Sequence, residues 1–125
     1  MVGRSDVDPV DKSQGWLTAI DASTGAVKWK YRSSRPLVAA VTTTAGNIVM
    51  TGELTGDFMI FDAQTGAVLY RFNTGGPMGG GIVTYAVGGK QYIAVASGSP
   101  SNFWVERNPG APTIVVFTLS GNARS

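Results

Sequence analysis

The sequence carries eight carboxylates that could serve acid–base or metal chemistry, and neither Cys nor His. That absence removes a thiolate nucleophile, an imidazole general base, a Cys/His zinc site and a CxxCH haem attachment together. Asp6-x-Asp8-x-x-Asp11 has the outline of a calcium loop. It lacks the turn glycine and the distal bidentate glutamate that such a loop needs. Glu53 and Asp57 sit around a strand connection, Glu106 falls in a loop, and Asp21 and Asp62 belong to turns. No two carboxylates stand at a spacing that demands a shared site. Gly75-Gly76 followed by Gly79-Gly80-Gly81 imitates a phosphate loop, but no helix signal follows whose N-terminus could hold an anion. Close backbone approach at a strand entry explains these glycines better. The inventory predicts no catalytic group and no metal ligand.

Other classes fall on composition. The net charge is +2 and the ten basic residues are scattered, whereas a nucleic-acid footprint needs clustered Lys and Arg. No stretch approaches the roughly 18 apolar residues of a membrane span. Met1 to Asp6 shows no apolar run behind its charge, so it does not read as a signal peptide. An export address would lie outside these residues. A charged fraction of 14% against 43% hydrophobic describes a globular chain of one ordinary domain.

The elements come from an internal repeat. Ala19-Ile20-Asp21-Ala22-Ser23-Thr24-Gly25-Ala26-Val27-Lys28-Trp29 recurs as Ile60-Phe61-Asp62-Ala63-Gln64-Thr65-Gly66-Ala67-Val68-Leu69-Tyr70, with Asp, Gly and the aromatic each displaced by 41 positions. That period lies in the ~40–45 residue range of a four-stranded propeller blade. In Asp-x-x-Thr-Gly the carboxylate can accept backbone and hydroxyl donors, and glycine supplies a positive φ. Val27 to Arg32 alternates basic and apolar residues, as a half-wet outer strand should. Phe58-Met59-Ile60-Phe61 and Ile114-Val115-Val116-Phe117 read as inner strands, apolar on both faces.

The pattern predicts an all-β chain, a partial β-propeller of about two to two and a half four-stranded antiparallel blades. Residues 1–32 end one blade, 33–72 form a complete blade and 73–125 enter the following one. The complete blade has strands at 38–43, 47–51, 57–62 and 67–72. Two outer strands precede it within 16–32. Three follow at 81–87, 91–97 and 113–119, with a hairpin at Gly88-Gly89. Such a set cannot close on itself, so it needs the remaining blades of a longer propeller or copies of itself.

The motif Ala19-x-Asp21-x-x-Thr24-Gly25-x-x-x-Trp29 resembles the tryptophan-docking motif of the eight-bladed quinoprotein dehydrogenases, with Ile60 and Tyr70 departing from it in the second copy. Five segments resemble that family in order. They are Gly15 to Asp21, Thr44 to Val49, Phe72 to Gly76, Gly89 to Gly98 and Pro112 to Phe117. The resemblance covers residues 15–119 and points to the last blades of the family's propeller. It implies a periplasmic alcohol dehydrogenase using pyrroloquinoline quinone (PQQ) and calcium. Electrons would pass to a cytochrome c or quinone acceptor, and the aspartate base and calcium ligands would lie in earlier blades.

The loops leaving each blade's last strand, with those joining second and third strands, should share one mouth of the propeller. Here these are Ser33 to Leu37, Gly52 to Gly56, Asn73 to Gly79 and the long run Ser97 to Pro112. Two residues are expected to border the cofactor mouth, Val38 through the resemblance and Trp104 as an aromatic able to wall an apolar substrate pocket. Val38 stands where the methanol-oxidising branch carries the tryptophan of Pro-Leu-Trp, and Trp104 lies in the long loop. For both, plain packing is the competing reading. Arg35 reads as a solvated loop charge. An alternative function is a non-catalytic propeller of the same repeat superfamily, a protein-binding scaffold like an outer-membrane assembly lipoprotein. Lys90 to Val95 and Pro112 to Phe117 favour the dehydrogenase.

Overall fold

The computed structural model describes residues 12–98 and 111–118. Every regular element among them is a strand. They are β1 (Gly15–Ile20), β2 (Val27–Ser33), β3 (Thr42–Thr44), β4 (Ile48–Gly52), β5 (Asp57–Asp62), β6 (Val68–Asn73), β7 (Ile82–Val87), β8 (Lys90–Ser97) and β9 (Thr113–Thr118). They form three antiparallel sheets in the orders β1-β2, β3-β4-β5-β6 and β7-β8-β9. The fold is therefore all-β and a partial propeller, as the 41-residue period requires.

The repeat reappears in backbone detail. The β1–β2 and β5–β6 ladders shift register at Ala19/Ile20 and Ile60/Phe61, equivalent positions in the two copies. Gly25 and Gly66 adopt φ +73° and +75°, where a Cβ would strain the chain. Gly88 and Gly89, both at positive φ, make the two-residue loop between β7 and β8 that matches strand twist.

Two apolar layers join the three sheets. Leu17, Val49, Met59 and Phe61, flanked by Trp29, Tyr31 and Leu37, fill the space between the first sheet and the middle one. Met50, Phe58, Met78, Ile82, Ile93 and Val95 fill the space between the middle sheet and the third. Neighbouring residues of β4 thus serve opposite layers, Val49 one and Met50 the other, because side chains alternate across a strand. This is why Phe58-Met59-Ile60-Phe61 is apolar throughout: β5 lies between two sheets.

Two expectations need correction. The first strand of the middle sheet begins at Thr42, not at 38. Pro36 has no amide to donate, and the Ala40 amide donates to Gly80 O in the next connection rather than to a strand. Val38 therefore lies in a connection. The second correction concerns β9. Val115 and Phe117 pack against the middle sheet, but Ile114 is 66% and Val116 50% exposed. No described sheet covers that face, so the strand is apolar on both sides yet partly buried on only one.

Candidate functional site

Ladder register brings the connections to one end of the sheets. Strands β2, β4, β6 and β8 end where β3, β5, β7 and β9 begin, as the pairings Gly52↔Phe58, Asp57↔Asn73 and Ser97↔Thr113 show. The rim there consists of the β2–β3 connection (34–41), the β4–β5 turn (53–56), the β6–β7 connection (74–81) and the start of the segment leaving β8.

Val38 is half-buried in this rim. Its neighbours Leu37 and Ala39 pack against different apolar layers, Leu37 against the first and Ala39 against the second. Arg35 is half-buried rather than fully solvated. Its guanidinium donates to Ser34 O at 3.2 Å, and its amide donates to Ser33 Oγ. Trp104, Glu106 and the Asp6/Asp8/Asp11 cluster lie outside the described residues.

The densest polar cluster of the rim was not anticipated. Glu53 is only 3% exposed. Its Oε1 accepts from the Tyr31 hydroxyl of the first sheet at 2.9 Å, and its Oε2 accepts from Thr55 Oγ1 at 3.2 Å. Arg71 donates to the Tyr31 oxygen and to Asp57 Oδ2, both at 2.9 Å, and lies 3.7 Å from Glu53 Oε2. Asn73 donates to Asp57 Oδ1 and to Thr55 O. Burial raises the Tyr31 phenol above its ordinary pKa, with Glu53 adding to the effect, and the bond to Tyr31 raises Arg71. Two carboxylates thus do share a site, through one guanidinium. The sequence signal was their placement at either end of a turn containing Gly56, which brings them together once the turn closes. The Glu53 backbone carbonyl also accepts from the amides of Gly56 and Met78. Farther along the rim, Thr74 Oγ1 and Ser97 Oγ lie 2.7 Å apart and both bond Gly76 O, joining the β6–β7 connection to the end of β8.

The turns sit at the opposite end of the sheets. Asp21 Oδ1 accepts from the Ser23 hydroxyl, the Ser23 amide and the Thr24 amide at 2.6, 2.9 and 3.0 Å. Asp62 Oδ1 accepts from the Gln64 and Thr65 amides at 2.8 and 3.0 Å. In each turn the threonine hydroxyl accepts from the amide two residues on. The Ser23 hydroxyl, then the Thr24 and Ser23 amides, hold the Asp21 carboxyl down from 3.8 to about 2. The Thr65 and Gln64 amides lower Asp62 in the same direction. A lowered native pKa adds stability that is present above the unfolded value and is lost as pH falls through the native one. Stability is therefore expected to decline as pH drops from 3.8 toward about 2. Denaturant titrations across that window should show the decline flattened in an Asp21→Asn/Asp62→Asn variant, whose amides carry no titrating proton.

Trp29 links the first turn's strand to the second turn. Its Nε1 donates to Ala63 O at 2.8 Å, its ring lies 5.9 Å from that of Phe61, and it rests against Gly66. Replacing Trp29 by Phe keeps an aromatic ring but leaves the Ala63 carbonyl without this donor. The expected loss is about 1 kcal/mol in equilibrium denaturation.

Among the described residues no group of three or more Asp, Glu, His or Cys could hold a metal ion. No helix there is long and apolar enough to cross a membrane. Cavities of about 400 Å³ and 250 Å³ open between the middle and third sheets. The first lies at the β3–β4 turn, and the second is lined by Phe58, Ile60, Tyr70, Ile93, Phe117 and Thr118. Neither belongs to the rim.

Comparison with known proteins agrees with this architecture. The PQQ-repeat family model described as outer membrane protein assembly factor BamB matches residues 10–109. Quinoprotein alcohol dehydrogenase PedH of Pseudomonas putida is 40% identical over 84 residues, covering 67% of this chain and 14% of that protein. Quinoprotein ethanol dehydrogenase of Pseudomonas aeruginosa is 40% identical over 88 residues, again spanning 14% of its length. Quinohemoprotein alcohol dehydrogenase of Comamonas testosteroni superposes with a TM-score of 0.73 at 30% identity, over 90% of this chain and 18% of that one. A europium-containing methanol dehydrogenase superposes at 0.62 and 30% identity, over 66% of this chain and 14% of that one. The docked tryptophan, the repeated turn and these likenesses place the chain in the PQQ-dependent quinoprotein alcohol dehydrogenase family.

Proposed function

We propose that the chain is the C-terminal part of a PQQ-dependent dehydrogenase that oxidises alcohols to aldehydes, and that the 125 residues alone are inactive. The observation that carries this reading is about 40% identity, over two thirds of the chain, to quinoprotein alcohol dehydrogenases. On this reading residues 1–32 end one blade, 33–72 form a complete one and 73–125 enter the next. The exposed faces carrying Ile114, Val116, Val83 and Tyr85 then meet the remaining blades. Such faces would otherwise leave a large apolar surface in water.

Among the described residues the side chains fit one role toward the quinone and none toward a metal. Half-buried Val38 on the rim suits an apolar border for a planar ring. The carboxylates that come together at Glu53 and Asp57 are already engaged by Arg71, Tyr31, Thr55 and Asn73. Calcium ligands and the base therefore belong to other blades in this reading. When bound, the quinone supplies the two-electron oxidising power and the calcium supplies Lewis acidity. This chain's residues contribute the wall: Val38, and Trp104 on the strength of its sequence position. The enzyme is assigned to the periplasm, delivering electrons to a cytochrome c or quinone acceptor.

The test is reconstitution of a longer protein carrying this segment with PQQ and calcium. Alcohol-dependent dye reduction is expected, and none from the 125 residues. A reconstituted longer protein without dye reduction would count against the dehydrogenase. That outcome would favour the alternative of a protein-binding scaffold, in keeping with a family model described as outer membrane protein assembly factor BamB, and turnover by the isolated chain would show the catalytic centre to be misplaced.

A further inference from the structure

We propose that Glu53 is the positioning residue of the rim, holding the two inter-sheet connections in place around Val38. Its relevance to the cofactor rests on the reading of Val38 given above. The inference follows a continuous path of bonds. The Glu53 side chain reaches back to Tyr31 of the first sheet at 2.9 Å and pins its own turn through Thr55. Its backbone carbonyl takes the Met78 amide of the β6–β7 connection at 3.1 Å. Two residues on, Gly80 O takes the Ala40 amide at 3.0 Å, two residues beyond Val38. Packing reinforces the path, since Met78 is fully buried directly against Gly52, leaving no room for a side chain there.

A buried carboxylate is costly unless its lone pairs are engaged. Here both oxygens are engaged, by groups from β2 and from the turn. Removing the side chain frees the turn from the first sheet and leaves the Tyr31 hydroxyl and Arg71 short of an acceptor. The turn carries the carbonyl on which Met78 hangs, so the displacement passes to the connections. The β7–β8 hairpin, held by its own ladder and Gly88-Gly89 turn, lies off this path.

The experiment is amide hydrogen exchange on the full chain and on its Glu53→Ala, Glu53→Gln and Tyr31→Phe variants. Exchange at Met78 and Ala40 is expected to rise about tenfold in Glu53→Ala and in Tyr31→Phe, while the β7–β8 hairpin keeps its protection. Glu53→Gln retains an oxygen for the Tyr31 hydroxyl and should stay within about threefold of the parent. Should Glu53→Ala fail to fold, Tyr31→Phe and Glu53→Gln supply the comparison. The proposal is overturned if Met78 and Ala40 keep their protection in Tyr31→Phe, if Glu53→Gln loosens them as much as Tyr31→Phe does, or if all amides loosen together. No quinone enters this measurement. A negative result here leaves the dehydrogenase reading standing, and failed reconstitution leaves this result standing.

Discussion

Gly66→Ala is expected to destabilise the chain by about 3 kcal/mol, whereas Gly25→Ala costs about 1 kcal/mol. The two glycines occupy equivalent turns with nearly the same φ, +75° and +73°. A Cβ at either therefore carries the same left-handed strain. Their surroundings differ. At Gly25 a Cβ meets nothing within 4 Å, but at Gly66 it falls 2.6 Å from the Trp29 ring. That ring is held on its other sides by Phe61 and by its bond to Ala63 O, so it cannot move aside without losing both. The difference between the substitutions, read by denaturant unfolding, isolates sheet-to-sheet docking from turn strain. Equal effects would mean that Trp29 does not seat on Gly66 in solution.

Phe58→Ala is expected to cost about 4 kcal/mol, the largest effect of any single truncation considered. Phe58 is fully buried in the layer between the middle and third sheets. Its ring stacks on Phe117 at 4.9 Å and meets Tyr70 edge-on at 6.5 Å. The cavity left would lie beside the existing apolar space lined by Ile60, Ile93 and Phe117, so the neighbours gain little by collapsing. Leu69→Ala on exposed β6 is the control, expected to change stability by less than about 0.5 kcal/mol. Urea unfolding of both variants tests the pair. A Phe58→Ala loss no larger than that of Leu69→Ala would place the third sheet elsewhere.

Much of this architecture was legible without coordinates. Side-chain alternation and the Asp-x-x-Thr-Gly turns are local, and local patterns survive in sequence. The strand spans, the positive φ at Gly25 and Gly66 and the two-sided burial of β5 all follow from them. The start of β3 did not, because Pro36 and the bond from Ala40 to Gly80 compete with strand pairing, and Gly80 is 40 positions away. Nor was the exposed face of β9 legible. Apolar residues record what a strand is suited to touch, not whether a partner sheet is present to touch it.

The candidate site divides in the same way. Composition alone removed thiol and imidazole chemistry, the repeated motif marked Trp29 as a docking residue, and the family resemblance with the order of the strands put Val38 on the rim. Only the folded chain could join Tyr31, Glu53, Asp57 and Arg71, since these residues lie on three strands and one turn drawn from two sheets. The physical reason is range. A turn or a strand face is decided by residues a few positions apart, whereas a polar cluster that spans two sheets is decided by how whole sheets stack. Stacking is set by apolar volume summed over many side chains, which no short motif records.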